Sequence, residues 1–198
     1  RVTAVNISSS IYDNLATIFV GRYFSMRTLG LYGQANSFYI VPVAVLADPI
    51  NKVSHPVFVR VQNDLEVLRL GYRKVMRLLV QLSAPIVILL MVLASPLYHF
   101  LFGDKWMEAA GFFQILCFAG ILYPLNNYNT NILYVKGRSD LYLRLDITRR
   151  VIGVVAMVIA LVFRDYWGIY GLLWSQVICQ VIFLFINSYY SGRFINLS

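Results

Sequence analysis

The chain reads SAPIVILLMVLASPLYHFLF from Ser83 to Phe102, twenty consecutive residues without a lysine, arginine, aspartate or glutamate. A hydrocarbon core about 30 Å thick needs about 20 apolar helical residues, so this stretch predicts a transmembrane helix. The composition agrees, because 59% of residues are hydrophobic, 13% are charged and the mean hydropathy is +0.67. These values exclude an ordinary soluble domain or a disordered chain and indicate an all-α polytopic membrane protein.

Six apolar segments predict a six-transmembrane-helix bundle that forms a single membrane domain over residues 1–198. They lie at about 5–22, 29–59, 78–102, 109–135, 147–164 and 168–190. The second contains Pro42, Pro49 and Pro56, which predict kinks. Residues at about 64–77 carry an apolar stripe at three- and four-residue steps opposite a basic face, which predicts an amphipathic cytoplasmic helix at the membrane surface.

The distribution of lysine and arginine predicts the orientation of the bundle. In the six-span arrangement twelve of the 17 cations lie on one side, four lie on the other, and Lys52 lies within a span. The positive-inside rule therefore predicts that both chain ends are cytoplasmic. The net charge of +8 does not indicate a nucleic-acid partner, because the cations gather in inter-helix segments instead of one soluble face.

Polar side chains inside predicted spans mark the candidate site, because ionisable groups at membrane depth are costly. In the second span Asp48, Lys52 and His55 follow each other at steps of four and three, so they share one helical face. Other spans carry polar stripes as well. The candidate cavity residues of all these spans are Asp13, Asn14, Asp48, Lys52, His55, Asn126, Asn127, Gln176 and Gln180.

Two interpretations of these stripes are open. They could line a shared water-accessible cavity, or they could form interhelical hydrogen bonds and a buried Asp48–Lys52 ion pair. Residues 85–94 and 151–161 have no strong hydrogen-bonding side chain, so the third and fifth spans are expected to face lipid or serve as scaffold. Polar stripes on four helices beside two apolar ones favour the cavity.

The sequence predicts no enzyme. Walker A, HExxH and GxSxG patterns are absent, and His55 and His99 fall in different spans without a paired nucleophile. Cys117 and Cys179 lack the spacing of a metal site or a redox motif. We therefore expect neither a metal nor a resident cofactor.

With the helices placed, four short motifs become informative. They are Asp13-Asn14-Leu15 followed by Gly21-Arg22, then LGLY at 29–32, FVRVQND at 58–64 and LFGDKW at 101–106. In their order and spacing the chain resembles bacterial polysaccharide flippases, of the O-antigen and colanic-acid exporter type in the multidrug/oligosaccharidyl-lipid/polysaccharide superfamily. The resemblance covers essentially the whole chain, which looks like the C-terminal one of two six-helix lobes, with the N-terminal lobe as its missing partner.

The resemblance implies a function in polysaccharide and lipopolysaccharide biosynthesis. Such proteins move an undecaprenyl-pyrophosphate-linked oligosaccharide across the bacterial inner membrane by alternating access, and a gradient of H+ or Na+ is thought to drive several of them. On this basis Asp13 is the candidate for cation coupling, and Lys52 and Arg60 are candidates for attracting the pyrophosphate. The amides Asn126, Asn127, Gln176 and Gln180 are expected to bind sugar hydroxyls or line water.

Two alternatives to the flippase stay open. A multidrug exporter of the same superfamily would have a more apolar cavity. A non-transporting membrane assembly subunit, or the remnant of a truncated gene, would bind without moving anything.

Overall fold

A computed structural model describes residues 14–135 and 139–195 of the chain, and these residues are almost entirely helical. The described part of α1 covers residues 14–23. The elements that follow are α2 (Met26–Arg60), α3 (Leu65–Val92), α4 (Ala94–Phe102), a 3-10 turn (Asp104–Trp106), α5 (Met107–Val135), α6 (Ser139–Val162) and α7 (Arg164–Ile195). No strand occurs in either described range. The predicted all-α polytopic fold is confirmed.

Three stretches of the described chain are long and apolar enough to cross a membrane, namely Leu65–Val92, Asp104–Thr130 and Arg164–Ser191. A fourth is α2, if its halves Met26–Val45 and Ala47–Arg60, bent by 42°, count as one span. The first half of α6 carries Asp140, Arg144, Asp146, Arg149 and Arg150, so only its second half is continuously apolar. The total of six spans stays a prediction.

Prolines bend α2 where the sequence predicts a kink. Pro42, Pro49 and Pro56 all lie inside this helix, and the bend falls between Val45 and Ala47. A proline has no backbone N–H and its ring meets the carbonyl four residues earlier, which for Pro49 is the carbonyl of Val45. The bend therefore has a specific chemical cause.

The structure divides the third predicted span, residues 78–102, between two helices, α3 and α4. Asp64 caps α3 by accepting hydrogen bonds from the N–H groups of Glu66 and Val67, both at 3.1 Å. From there α3 runs without interruption through the expected surface helix and into the expected span, up to Val92. Pro96 favours the break that follows, because it has no N–H to donate to the carbonyl of Val92 and its ring crowds that carbonyl.

The helix α5 is central to the bundle and packs against α2, α3, α4, α6 and α7. One buried cluster joins Tyr32, Tyr98 and Phe113, and a second joins Leu68 and Tyr128. Many apolar side chains on α3, α6 and α7 remain exposed instead. In a membrane protein such side chains suit contact with acyl chains.

Candidate functional site

A cleft of about 310 Å³ opens between α1, α2, α5, α6 and α7. Its aromatic walls are Tyr32, Tyr39 and Tyr123. Its amide groups are Asn36, Gln176 and Gln180. Apolar side chains such as Met157 and Phe183 complete the lining. The cleft is therefore amphiphilic, with groups that hydrogen-bond and groups that pack against rings or hydrocarbon.

Helical spacing places the polar residues on the cleft. Tyr32, Asn36 and Tyr39 follow at steps of four and three on α2, and Gln176 and Gln180 lie one turn apart on α7. The Nε2 atom of Gln176 donates a hydrogen bond of 3.0 Å to the hydroxyl of Tyr32. This bond joins α7 to α2 across the cleft.

Arg149 on α6 brings a positive charge to the cleft, and it is the one lysine, arginine, histidine, aspartate or glutamate among the described lining residues. Its guanidinium carbon lies 5.5 Å from the ring centroid of Phe183, a cation–π distance. The neighbouring Arg150 donates to Oδ2 of Asp146 from Nε at 2.9 Å and from Nη2 at 2.6 Å. The ion pairs of the described residues thus join Asp146 to Arg150 and include none that involves Arg149.

A buried hydrogen-bond ladder joins α5 to α7 behind the cleft. Nδ2 of Asn126 donates to the backbone oxygen of Gln180 at 3.0 Å and to its Oε1 at 2.9 Å. Nδ2 of Asn187 donates to Oγ1 of Thr130 at 3.2 Å and to Oδ1 of Asn126 at 3.4 Å. Only 1% of Asn126 and 2% of Asn187 is exposed. The interhelical interpretation therefore describes Asn126, and Gln180 belongs to both the ladder and the cleft.

A second buried contact extends this network to α3. The hydroxyl of Tyr72 donates to Oδ1 of Asn129, and Nδ2 of Asn129 lies 3.4 Å from Oγ of Ser188. Asn129 is fully buried. Amide and hydroxyl groups thus connect three helices in the half of the bundle that holds the second core cluster.

Asn127 lies beside the cleft. It lines a small polar pocket of about 50 Å³ together with Thr130, Asp146 and Arg149. Arg149 and Phe183 line both this pocket and the cleft. Asn127 therefore lies next to the cleft but does not line it.

The remaining candidate residues lie elsewhere. Asp48, Lys52, His55 and Arg60 are exposed on α2 and do not line the cleft. The ion pairs of the described residues do not include one between Asp48 and Lys52. Asn14 is exposed on α1, and Asp13 lies outside the described residues. The structure thus brings together Gln176 and Gln180, with Asn126 behind them, but not the charged residues of α2.

Sequence reasoning missed two functional candidates, Asn36 and Arg149. Asn36 could have been identified from its spacing, because it lies four residues after Tyr32 and three before Tyr39. Arg149 lies at the start of the predicted fifth span, 147–164, and is among the twelve cations of the cytoplasmic side, because the apolar run begins only at Val151. The fifth predicted span contributes to the cleft as well as to packing, because Gly153 and Met157 line the cleft one and two turns after Arg149.

Together the fold and the cleft define a polytopic α-helical membrane protein with an internal amphiphilic site. A family model described as polysaccharide biosynthesis protein matches residues 1–111, more than half of the chain and all four of its short motifs. The chain belongs to this polysaccharide biosynthesis family.

Curated relatives support the same assignment. The teichuronic acid biosynthesis protein TuaB of Bacillus subtilis (strain 168) is 30% identical over 128 residues, covering 65% of this chain and 26% of the relative. The lipopolysaccharide biosynthesis protein WzxC of Escherichia coli (strain K12) is 27% identical over 186 residues, covering 93% of this chain and 38% of the relative. An uncharacterized membrane protein in the cps region of Klebsiella pneumoniae is 24% identical over 182 residues, covering 91% of this chain and 37% of the relative.

The chain therefore spans less than two fifths of the length of these relatives. No solved structure matches the chain. The resemblance to polysaccharide-exporter proteins is confirmed at the level of the family.

Proposed function

We propose that this chain is the cleft-bearing helical bundle of a flippase for lipid-linked oligosaccharides. The substrate is an undecaprenyl-pyrophosphate-linked repeat unit, which crosses the bacterial inner membrane by alternating access during polysaccharide biosynthesis. Two findings support the proposal, namely the family to which the chain belongs and the amphiphilic cleft. The single observation that carries it is the presence of amides, tyrosines and one arginine on the same concave surface.

The chemistry of the cleft suits each part of such a substrate. Carboxamides such as Gln176 and Gln180 both donate and accept hydrogen bonds, as sugar hydroxyls require. Tyrosine rings stack on the apolar faces of sugars, and their hydroxyls remain available for hydrogen bonds. The guanidinium of Arg149 presents a fork of N–H donors that matches the geometry of a phosphate.

The exposed charges of α2 favour a translocation path along this helix. Asp48, Lys52 and His55 lie on an exposed side of a helix that is otherwise apolar enough for a membrane. An exposed ionisable face at membrane depth is costly against lipid, so we propose that it faces water or a second helical bundle. Lys52 and Arg60 would then attract the pyrophosphate before it reaches Arg149.

The energy source is a further part of the proposal. Asp13 precedes the described part of α1, whose Ala16 lines the cleft. We propose that its carboxyl group couples transport to H+ or Na+. No covalent step is involved, so the proposed protein is a transporter and not an enzyme.

The test is glycan export in a strain that lacks the native gene and expresses variants of the full-length protein. Arg149→Gln should reduce surface polysaccharide at least about tenfold, the usual effect of losing a charge-assisted hydrogen bond, and lipid-linked precursor should accumulate. Arg149→Lys should retain part of the activity. Arg144→Gln, at an exposed arginine of the same helix outside the cleft, is the matched control.

Equal export by Arg149→Gln and Arg144→Gln, at equal protein levels, would contradict the cleft assignment. A parallel measurement of drug accumulation separates the flippase from a multidrug exporter, which would protect cells from the drug without exporting glycan. A non-transporting assembly subunit would bind the precursor and leave its distribution between the leaflets unchanged.

A further inference from the structure

A second concavity lies apart from the cleft, at the end of the bundle where α2 begins. It is an open groove of about 410 Å³ between the first turns of α2 and the 3-10 turn that precedes α5. Its lining residues are Met26, Arg27, Gly30, Leu31, Lys105 and Trp106. It shares no lining residue with the cleft.

Two glycines shape the groove. A Cβ built on Gly30 meets no atom within 4 Å, so the floor beside α2 is open space. Gly103 has a φ of +77°, a left-handed conformation that glycine adopts readily, and it ends α4. The turn after it carries Lys105 and Trp106 to the wall opposite α2.

Aromatic packing fixes this wall. The ring centroids of Trp106 and Phe102 are 6.5 Å apart, and Phe102 packs edge-on against Phe38 of α2 at 5.4 Å. The indole of Trp106 is therefore supported from the inside of the bundle by side chains of α4 and α2. The groove does not need a ligand to take this shape.

The groove is lined by two cations, one of which has no ion pair among the described residues. Nη2 of Arg27 lies 2.9 Å from Oε1 of Glu108, which holds the arginine beside the groove and cancels the charge of the glutamate. The carboxylate of Asp104 contacts Nδ1 of His99 at 2.7 Å and does not line the groove. Lys105 is exposed and forms no ion pair among the described residues.

We propose that this groove binds the head group of an anionic phospholipid. Lys105 and Arg27 contact the phosphate, and Met26, Leu31 and Trp106 contact the glycerol and the first acyl carbons. A tryptophan and basic side chains at the end of membrane helices are the usual surroundings of lipid head groups. A free phosphate ion would use the cations but would gain nothing from the apolar walls. This site is independent of the proposed transport function.

The test is native mass spectrometry of the purified full-length protein, released from detergent after titration with single lipids. Phosphatidylglycerol should bind at least about fivefold more than phosphatidylcholine with the same acyl chains, as expected for one lysine at an anionic surface. Lys105→Gln should remove most of this preference. Lys74→Gln, at an exposed lysine of α3 outside the groove, should leave it unchanged.

A variant that fills the groove tests the contribution of its shape separately from that of its charge. Gly30→Leu fills the open floor without removing a cation, so it should reduce binding of both lipids. Equal binding of the two lipids, equal spectra for Lys105→Gln and Lys74→Gln, or unchanged binding by Gly30→Leu would each overturn the proposal. Displacement of phosphatidylglycerol by millimolar inorganic phosphate would also overturn it, since the ligand would then be a free anion.

Discussion

At the scale of single residues, the carboxamide of Asn126 has the clearest structural role. It donates to two oxygens of Gln180 and accepts from Asn187. We expect Asn126→Ala to lower the free energy of unfolding by about 1 kcal/mol, a typical value for polar contacts between membrane helices. Thermal unfolding in detergent should show a midpoint about 2–4 °C lower.

Asn127→Ala is the matched control, because Asn127 is the next residue of α5 and lines the small polar pocket instead of the ladder. It should leave the midpoint nearly unchanged. A double-mutant cycle with Asn187→Ala should show coupling to Asn126. Additive effects of the two substitutions would mean that the 3.4 Å contact between them contributes no stability.

The charged residues of the first two helices give a second prediction at this scale. Alanine at Asp13 or at Lys52 should abolish glycan export without loss of protein, because each removes a charge assigned to coupling or to pyrophosphate attraction. Export is measured as surface polysaccharide, and protein level by immunoblot of membranes. Unchanged export would remove that residue from the mechanism.

Helical periodicity predicted Gln176 and Gln180 as members of a shared site, and both line the cleft. The same reasoning could not separate Asn126 from them. A polar residue on an inward face can meet water or another side chain, and the choice depends on how closely the neighbouring helix approaches. Arg149 was missed for a related reason, since a charge next to an apolar run fits either a loop or a cavity.

At the scale of helices, the bend of α2 is the feature most directly encoded by the sequence. Pro49→Ala restores an N–H donor to the carbonyl of Val45 and should straighten the helix. If bending accompanies gating, export should fall severalfold while thermal stability stays equal or rises. Distances between spin labels at the two ends of α2, measured by double electron–electron resonance, should lengthen.

Pro56→Ala is the control within the same helix, because Pro56 lies beyond the bend between Val45 and Ala47. It should have a smaller effect on both distance and export. A straightened α2 with normal export would show that the bend is not needed for transport.

The division between α3 and α4 shows where hydropathy is insufficient. Residues 78–102 are mostly apolar and contain no lysine, arginine, aspartate or glutamate, so a hydropathy criterion treats them as one span. The helix nevertheless breaks at Leu93, three residues before Pro96, which has no N–H to donate to the carbonyl of Val92 and whose ring crowds that carbonyl. Conversely, the basic stretch before residue 78 joins the same helix, since a change of polarity alone does not end a helix.

At the scale of the whole molecule, the orientation in the membrane is a testable prediction. In a variant without native cysteines, Lys74→Cys and Lys105→Cys should react with a membrane-impermeant maleimide from opposite sides. Lys74→Cys should react only after the inner membrane is opened, because its surroundings carry the positive charges of the cytoplasmic face. Labelling of both sites from the same side would contradict the predicted orientation.

The native thiols favour this experiment. Cys117 is buried and Cys179 partly buried, so replacing both by alanine removes the background labelling that this chain contributes, with little change at its surface. Because α3 and α4 connect the two labelled positions, the result also tests whether these helices together cross the bilayer once.

The central position of α5 has a consequence for biosynthesis. The ribosome completes α2, α3 and α4 before Met107 is made, yet α5 is the helix against which all three pack. Until α5 enters the bilayer, the hydroxyl of Tyr72 on α3 lacks Asn129, the residue to which it donates in the folded bundle. We therefore expect chains that stop before this point to be degraded by quality-control proteases faster than chains that include α5.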